Sequence, residues 1–137
     1  MLGEKLGDFT GKVTGQRVLP GDDYRYVKME VSYQQSGQLF GVQSQDIGTY
    51  TVFERVPGQM YGEGQGFLGN AEGEGAIWNG HGVGRMTGDG MGMAFRFSLA
   101  YQAGGSGKLA RLKDYLVIGE HESDANGNIK TTIWEWK

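Results

Sequence analysis

The chain contains no cysteine. Disulfides and thiolate chemistry are excluded, and a reducing compartment suits it. Proline is nearly absent: two in 137 residues, each beside glycine in a turn, at Pro20-Gly21-Asp22-Asp23 and Pro57-Gly58. No run approaches the ~20 apolar residues of a membrane helix. The opening MLGEKLGDF has no apolar core, so neither a membrane span nor a signal peptide is expected. A cytoplasmic protein is the expectation. Basic runs are missing and the net charge is −3, so nucleic acid and membrane are not expected as partners. Histidine is scarce, at His81 and His121. Glu120 and Glu122 flank His121, but adjacent strand residues face opposite ways, so no metal site is expected, and no cofactor. Helical periodicity over ~10 or more residues is absent as well.

What the chain has in excess is glycine. There are 26 glycines, against a usual share of ~7%. Three Trp, seven Tyr and six Phe with repeated apolar alternation mark it as folded nonetheless. Between Tyr61 and Leu99 glycine falls on alternate positions: Gly62, Gly64, Gly66; Gly73, Gly75; Gly80, Gly82, Gly84; Gly88, Gly90, Gly92. Period two is that of a strand, so each run reads as a strand with one bare face. Glycine weakens a strand and offers nothing to pack. Its repetition in one phase points to tight bending or close backbone approach.

Strands are expected at Phe9–Leu19, Tyr24–Gln35 and Gln38–Val42, with a hairpin at Ser36-Gly37. Asp46–Gly48 breaks the pattern before a strand at Thr49–Val56. The glycine strands follow, turning at Asn70 and Thr87-Gly88-Asp89-Gly90. Then come a loop over Ala103–Gly107, one helical turn near Lys108–Lys113, a strand at Tyr115–Glu120, a hairpin at 124–128 and a closing strand to Trp136. Nine or ten short strands joined by turns give one antiparallel all-β domain over residues 1–137. A closed barrel removes the edges those strands would expose, and mid-strand glycine supplies its curvature.

The segment Tyr101–Asp114, YQAGGSGKLARLKD, with Gly104, Gly105, Ser106, Gly107, Leu109 and Leu112, resembles the loop and apolar turn of allene oxide cyclase-like barrels. That group includes dirigent proteins, and the segment is also similar to small bacterial barrel proteins of unknown function. The resemblance implies an eight-stranded antiparallel barrel, calycin-like or allene oxide cyclase-like, with an interior pocket. Members cyclise or guide reactive hydrophobic molecules, or have no known activity. The cyclase site uses a cysteine, which this chain lacks, so the fold transfers better than the activity.

Other motifs fall away. Gly104–Lys108 imitates a phosphate loop, but Gln102 replaces its first glycine and Leu109 its Ser or Thr. Gly80, Gly82 and Arg85 lack the third dinucleotide glycine. Asp124, Asn126 and Asn128 lack the glutamate of a calcium loop.

The phase of the glycine strands decides the candidate site. Met91, Met93, Phe95, Phe97 and Leu99 share a core face, which places Gly92 outward. If the neighbouring strands follow, Tyr61, Glu63, Glu74, Trp78, His81 and Arg85 meet in one lumen. There Arg85 holds a carboxylate or a ligand oxygen, and Glu63 acts as general acid or base on a hydrophobic small molecule stacked on Trp78. Glu54, on a face with Tyr50, Val52 and Val56, is a second candidate acid or base, unless it reaches solvent past Pro57. The alternative turns these strands over, with glycines packed inside and the charges solvated. Function divides accordingly between a ligand-binding barrel, possible cyclase or isomerase, and a non-catalytic structural or interaction barrel. A lumen of ~300 Å³ or more favours the ligand, and a filled one does not. Val27, Met29, Val31, Met93, Phe95 and Phe97 are expected in the core. Ile133, Trp134 and Trp136 close the barrel, and the tryptophans are expected to anchor a homodimer.

Overall fold

The computed structural model describes residues 1–21, 27–104 and 106–137. The turn at Asp22-Asp23, the start of the strand expected from Tyr24, and Gly105 lie outside them. Eight strands form a closed antiparallel barrel in sequence order: β1 (Leu2–Leu19), β2 (Lys28–Leu39), β3 (Val42–Val56), β4 (Gln59–Asn70), β5 (Gly75–Met86), β6 (Met93–Ala103), β7 (Leu116–Ser123) and β8 (Asn128–Trp136). Each pairs with the next, and β8 returns to β1 through pairs such as Phe9 with Thr131. One 3-10 helix, Lys108–Asp114, joins β6 to β7 where the helical turn was expected. Leu109 and Leu112 anchor it, 1% and 0% exposed.

The strands are fewer and longer than the turn signals suggest. Ser36-Gly37 is not a hairpin: β2 runs straight through it to Leu39. A Cβ at Gly37 would strike the backbone of Asp8 on β1, so that glycine serves close approach. The turn falls at Phe40 and Gly41, with φ of 53° and 77°. Positive φ at both central residues matches the right-handed twist of a two-residue hairpin. Phe40 is a poor residue for that conformation, and is held by the Arg111 guanidinium 4.5 Å over its ring and by Tyr115, ring centroids 6.4 Å apart. Likewise Asp46–Gly48 does not break β3, whose register with β2 is unbroken from Val42 to Phe53.

Glycine phase is the main correction. Gly62, Gly64 and Gly66 on β4, and Gly80, Gly82 and Gly84 on β5, face inward, while Glu63, Gln65, Phe67, His81, Val83 and Arg85 face out and are exposed. Met91 precedes β6 and is 53% exposed, and Gly92 is buried, but the core face of the strand is as expected from Met93 on, with Met93 and Phe95 both 8% exposed. Its rings need the space: a Cβ on Gly82 would stand 2.8 Å from Phe97 Cβ, and one on Gly64 2.7 Å from Tyr50 Cβ. Bulky strands therefore lean on bare ones, and a slip of one residue would put both sets on the same side. Val27, expected in the core, precedes β2 and is 62% exposed.

The interior has two packed regions. At the end holding the 3-10 helix, Leu6, Leu39, Leu68, Leu109, Leu112 and Val117 are buried together. At the other end Val31, Val52, Met93 and Phe95 cluster. Between them lies the part of the lumen that concerns function.

Candidate functional site

Of the residues expected to line the lumen, Trp78 does so, 6% exposed. Glu63, His81 and Arg85 are on the outer face. Tyr61 is there too, meeting Phe53 and His81 edge-to-face at centroid distances of 5.8 and 6.3 Å, its hydroxyl donating to Glu63 at 3.2 Å. Glu54 accepts the Gly58 N–H at 2.8 Å and so ties down the Pro57-Gly58 turn. Glu74 sits at the β4–β5 turn, accepting from the Asn70 side chain at 2.8 Å. The inward glycine phase separates Glu63, His81 and Arg85 from Trp78 by the thickness of the sheet, while Glu54 and Glu74 are held at turns instead.

In their place the lumen holds a chain of hydrogen bonds that touches most of the barrel wall. Trp78 on β5 donates its indole N–H to Asp46 Oδ1 on β3 at 2.7 Å. Gln35 on β2 donates to Asp46 Oδ2 at 2.9 Å, and the Tyr33 hydroxyl donates to the same oxygen at 3.2 Å. Thr131 on β8 donates to Gln35 Oε1 at 2.8 Å and lies 2.8 Å from His121 Nδ1 on β7. Asp46, Gln35, His121 and Thr131 are all buried.

Two of these contacts reach across a whole strand, and at each crossing the strand offers glycine. Trp78 pairs with Gly66, which pairs with Gly48. A Cβ on Gly66 would lie inside the indole ring's contact distance, and one on Gly48 would come 2.7 Å from it. The indole therefore lies flat on a glycine floor to reach Asp46. Gln35 pairs with Gly11 of β1, and Gly11 pairs with Ile129 of β8. Bare Gly11 leaves Gln35 free to cross β1 to Thr131.

The electrostatics are those of a charge held by donors alone. Burial pushes the Asp46 carboxyl above the usual range, and the bonds from Trp78, Gln35 and Tyr33 oppose this. Burial, with Asp46 nearby, raises Tyr33 and Tyr101, and burial raises Tyr50 to about 12, so these phenols remain neutral. Burial lowers His121 to about 4, which makes it neutral near pH 7. Its tautomer follows from the chain. A carboxylate only accepts, so the Gln35 amide nitrogen faces Asp46 and its oxygen faces Thr131. The single Thr131 proton goes to that oxygen, so His121 Nδ1 must carry the proton donated to Thr131. His121 Nε2 is left as a bare lone pair, buried and without a partner.

His121 is among the residues that line a cavity of about 90 Å³, with Tyr50, Phe95, Phe97, Tyr101 and the inward glycines Gly62, Gly64, Gly80 and Gly82. Glu63 and His81 border it only as the links between those glycines. Among the described residues no three of His, Cys, Asp and Glu converge to hold a metal ion. Nor is any helix among them long and apolar enough to cross a membrane.

The sequence reading missed Asp46 and His121, taking one for a break in the pattern and weighing the other as a metal ligand. The signal was phase: Val52, Tyr50, Gly48, Asp46, Ser44 and Val42 alternate without interruption, as do Val117, Gly119 and His121.

No protein-family model matches the sequence, and no curated protein matches it. Solved structures do match in fold. A protein of unknown function from Clostridium acetobutylicum ATCC 824 superposes with a TM-score of 0.80 at 10% identity, over 98% of each chain. A conserved protein of unknown function from Rhodopseudomonas palustris gives 0.76 at 13%, covering 96% of this chain and 95% of that one. A beta-barrel like protein from Acinetobacter baumannii AYE gives 0.80 at 10%, covering 100% and 96%. The chain is thus similar in fold to bacterial β-barrel proteins of unknown function.

Proposed function

We propose that the barrel binds a small, neutral, largely apolar molecule in its central cavity. The observation that carries this reading is the cavity itself, left open between two packed cores where four inward glycines face aromatic rings. Its volume of about 90 Å³ is below the ~300 Å³ of ordinary ligand pockets and below the ~150 Å³ that holds benzene. The occupant is therefore a molecule of a few non-hydrogen atoms, smaller than the hydrophobic ligand that the cyclase resemblance implies. Binding is favoured over turnover. The Asp46 oxygens are engaged by three donors of the protein itself, and the cysteine of the cyclase site has no counterpart in the chain. Saturation-transfer NMR with a panel of small neutral molecules tests the reading. Transfer to some members supports it. No transfer to any, with ordered waters filling the cavity in a crystal, overturns it.

A self-associating interaction barrel is a second reading, favoured by the outer face. Leu2 and Leu116 each pair with Trp136 on neighbouring strands, and the three are 52%, 49% and 48% exposed. An exposed apolar group around a tryptophan is the usual anchor of an interface. We propose a homodimer through this face, and monomer alone in sedimentation at tens of micromolar removes it.

A further inference from the structure

Among the described residues, His121 is the cavity-lining residue with a buried side-chain atom that its own protein leaves without a partner. His121 Nδ1 is committed to Thr131, and Nε2 is buried without a partner. His121 is 8% exposed, and Tyr33 and Tyr50, with ring centroids 5.7 and 6.2 Å away, pack against its ring without bonding Nε2. A buried lone pair left empty costs free energy, so a donor is the complement of this site.

We propose that the cavity selects a small neutral molecule bearing one N–H or O–H donor, which it gives to His121 Nε2, with an otherwise apolar body. This rests on the proposed function, of which it names the ligand class. Charge fits: a buried Asp46 carboxylate nearby repels anions, and its oxygens are already engaged by Trp78, Gln35 and Tyr33. Size fits as well. The cavity of about 90 Å³ equals roughly three waters at ~30 Å³ each, which allows about three to five non-hydrogen atoms, as in a short alcohol or a five-membered azole.

The hydrogen-bond chain is what imposes the preference. Asp46 orients Gln35, Gln35 orients Thr131, and Thr131 fixes the imidazole tautomer. His121 and the ligand's donor make the contact; Asp46, Gln35 and Thr131 are positioning residues.

Pyrrole and furan test this on the whole chain. They have the same shape and size, and differ in that pyrrole has an N–H donor. Titrations followed by ¹H–¹⁵N NMR should show pyrrole binding about tenfold more tightly, the effect of one buried hydrogen bond made rather than left unmade. The His121 Nε2 resonance should move with pyrrole and not with furan. In Thr131→Val the tautomer is no longer fixed, and the preference should fall to within about twofold. His121→Phe should erase it; if that variant does not fold, the Thr131→Val comparison carries the test. Equal binding of pyrrole and furan overturns the donor requirement and leaves the apolar cavity reading standing. Binding of neither, with water alone at Nε2, overturns both.

Discussion

Beside the cavity the inward positions of β4 and β5 are the bare Gly62, Gly64, Gly80 and Gly82; on β2, β3, β7 and β8 they are the polar Gln35, Asp46, His121 and Thr131. Both sets come from strands of period two, yet at these positions one has no side chains and the other has polar ones. The difference shows how a small barrel of eight strands can enclose anything at all. Eight strands leave an interior just wide enough for side chains to fill. Space for a polar chain and a cavity exists because one wall gives up its side chains. The same glycines let neighbouring strands curl close, as where a Cβ on Gly82 would stand 2.5 Å from the Arg96 carbonyl oxygen. Curvature and cavity therefore have one cause.

Loss of the polar wall should have the largest effect. Asp46→Ala leaves Trp78 Nε1, Gln35 Nε2 and the Tyr33 hydroxyl without their acceptor in a buried site. At ~1–3 kcal/mol for each buried donor left unsatisfied, the loss in urea unfolding should be about 4 kcal/mol or more. The outer-face Glu63→Ala should stay within ~0.5 kcal/mol.

Acid should attack the same wall. The unfolded chain takes up its histidine proton near 6.5, whereas His121 in the fold does so at about 4. Between those values the unfolded state holds more protons, so stability is intact above 6.5 and falls as pH drops towards 4, by up to about 3 kcal/mol. The raised Asp46 carboxyl acts in the opposite sense above the ordinary carboxylate range and flattens the acid end of the curve. Chemical denaturation from pH 7 to 4, repeated in His121→Phe, checks this. The pH slope assigned to His121 should vanish in the variant.

The bare wall divides into floor and free space. Gly66→Ala drives a methyl group into the Trp78 indole and lifts it from Asp46, with an expected loss of about 2–3 kcal/mol. At Gly62 the nearest atom to an added Cβ is Phe95 Cε1 at 3.5 Å, an ordinary contact. Gly62→Ala should change stability by less than about 1 kcal/mol while narrowing the cavity and weakening pyrrole binding. Equal losses at the two sites would mean that the wall has no such division.

This also marks what the residues made legible. The period-two glycine runs, the Pro57-Gly58 and 124–128 turns and the helical turn near Lys108–Lys113 are local signals, and they gave an all-β barrel with little helix. The phase of β4 and β5 was not local. Met93, Phe95 and Phe97 fix the inner face of β6, but nothing within β4 or β5 says that those rings need glycines opposite them. Glycine has no side chain, so a bare face and a core face differ only through a neighbour's bulk. Asp46, Gln35, Thr131 and His121 were harder still. Their partners lie up to 96 residues apart in sequence, and a buried aspartate looks like a turn residue until its donors are known.

The smallest expected effect concerns the outer face of the bare wall. His81→Ala and Arg85→Ala should leave stability within ~0.5 kcal/mol and binding of small molecules unchanged, because both side chains are exposed on the side away from the cavity.

The central claim is that a hydrogen-bond chain across the barrel presents an empty acceptor to the cavity. The ¹⁵N chemical shifts and ring couplings of His121 in the free protein near pH 7 test it most directly. The account predicts a neutral imidazole with its proton on Nδ1 and a bare Nε2. A proton on Nε2 would reverse the direction of the Thr131 bond and contradict the account.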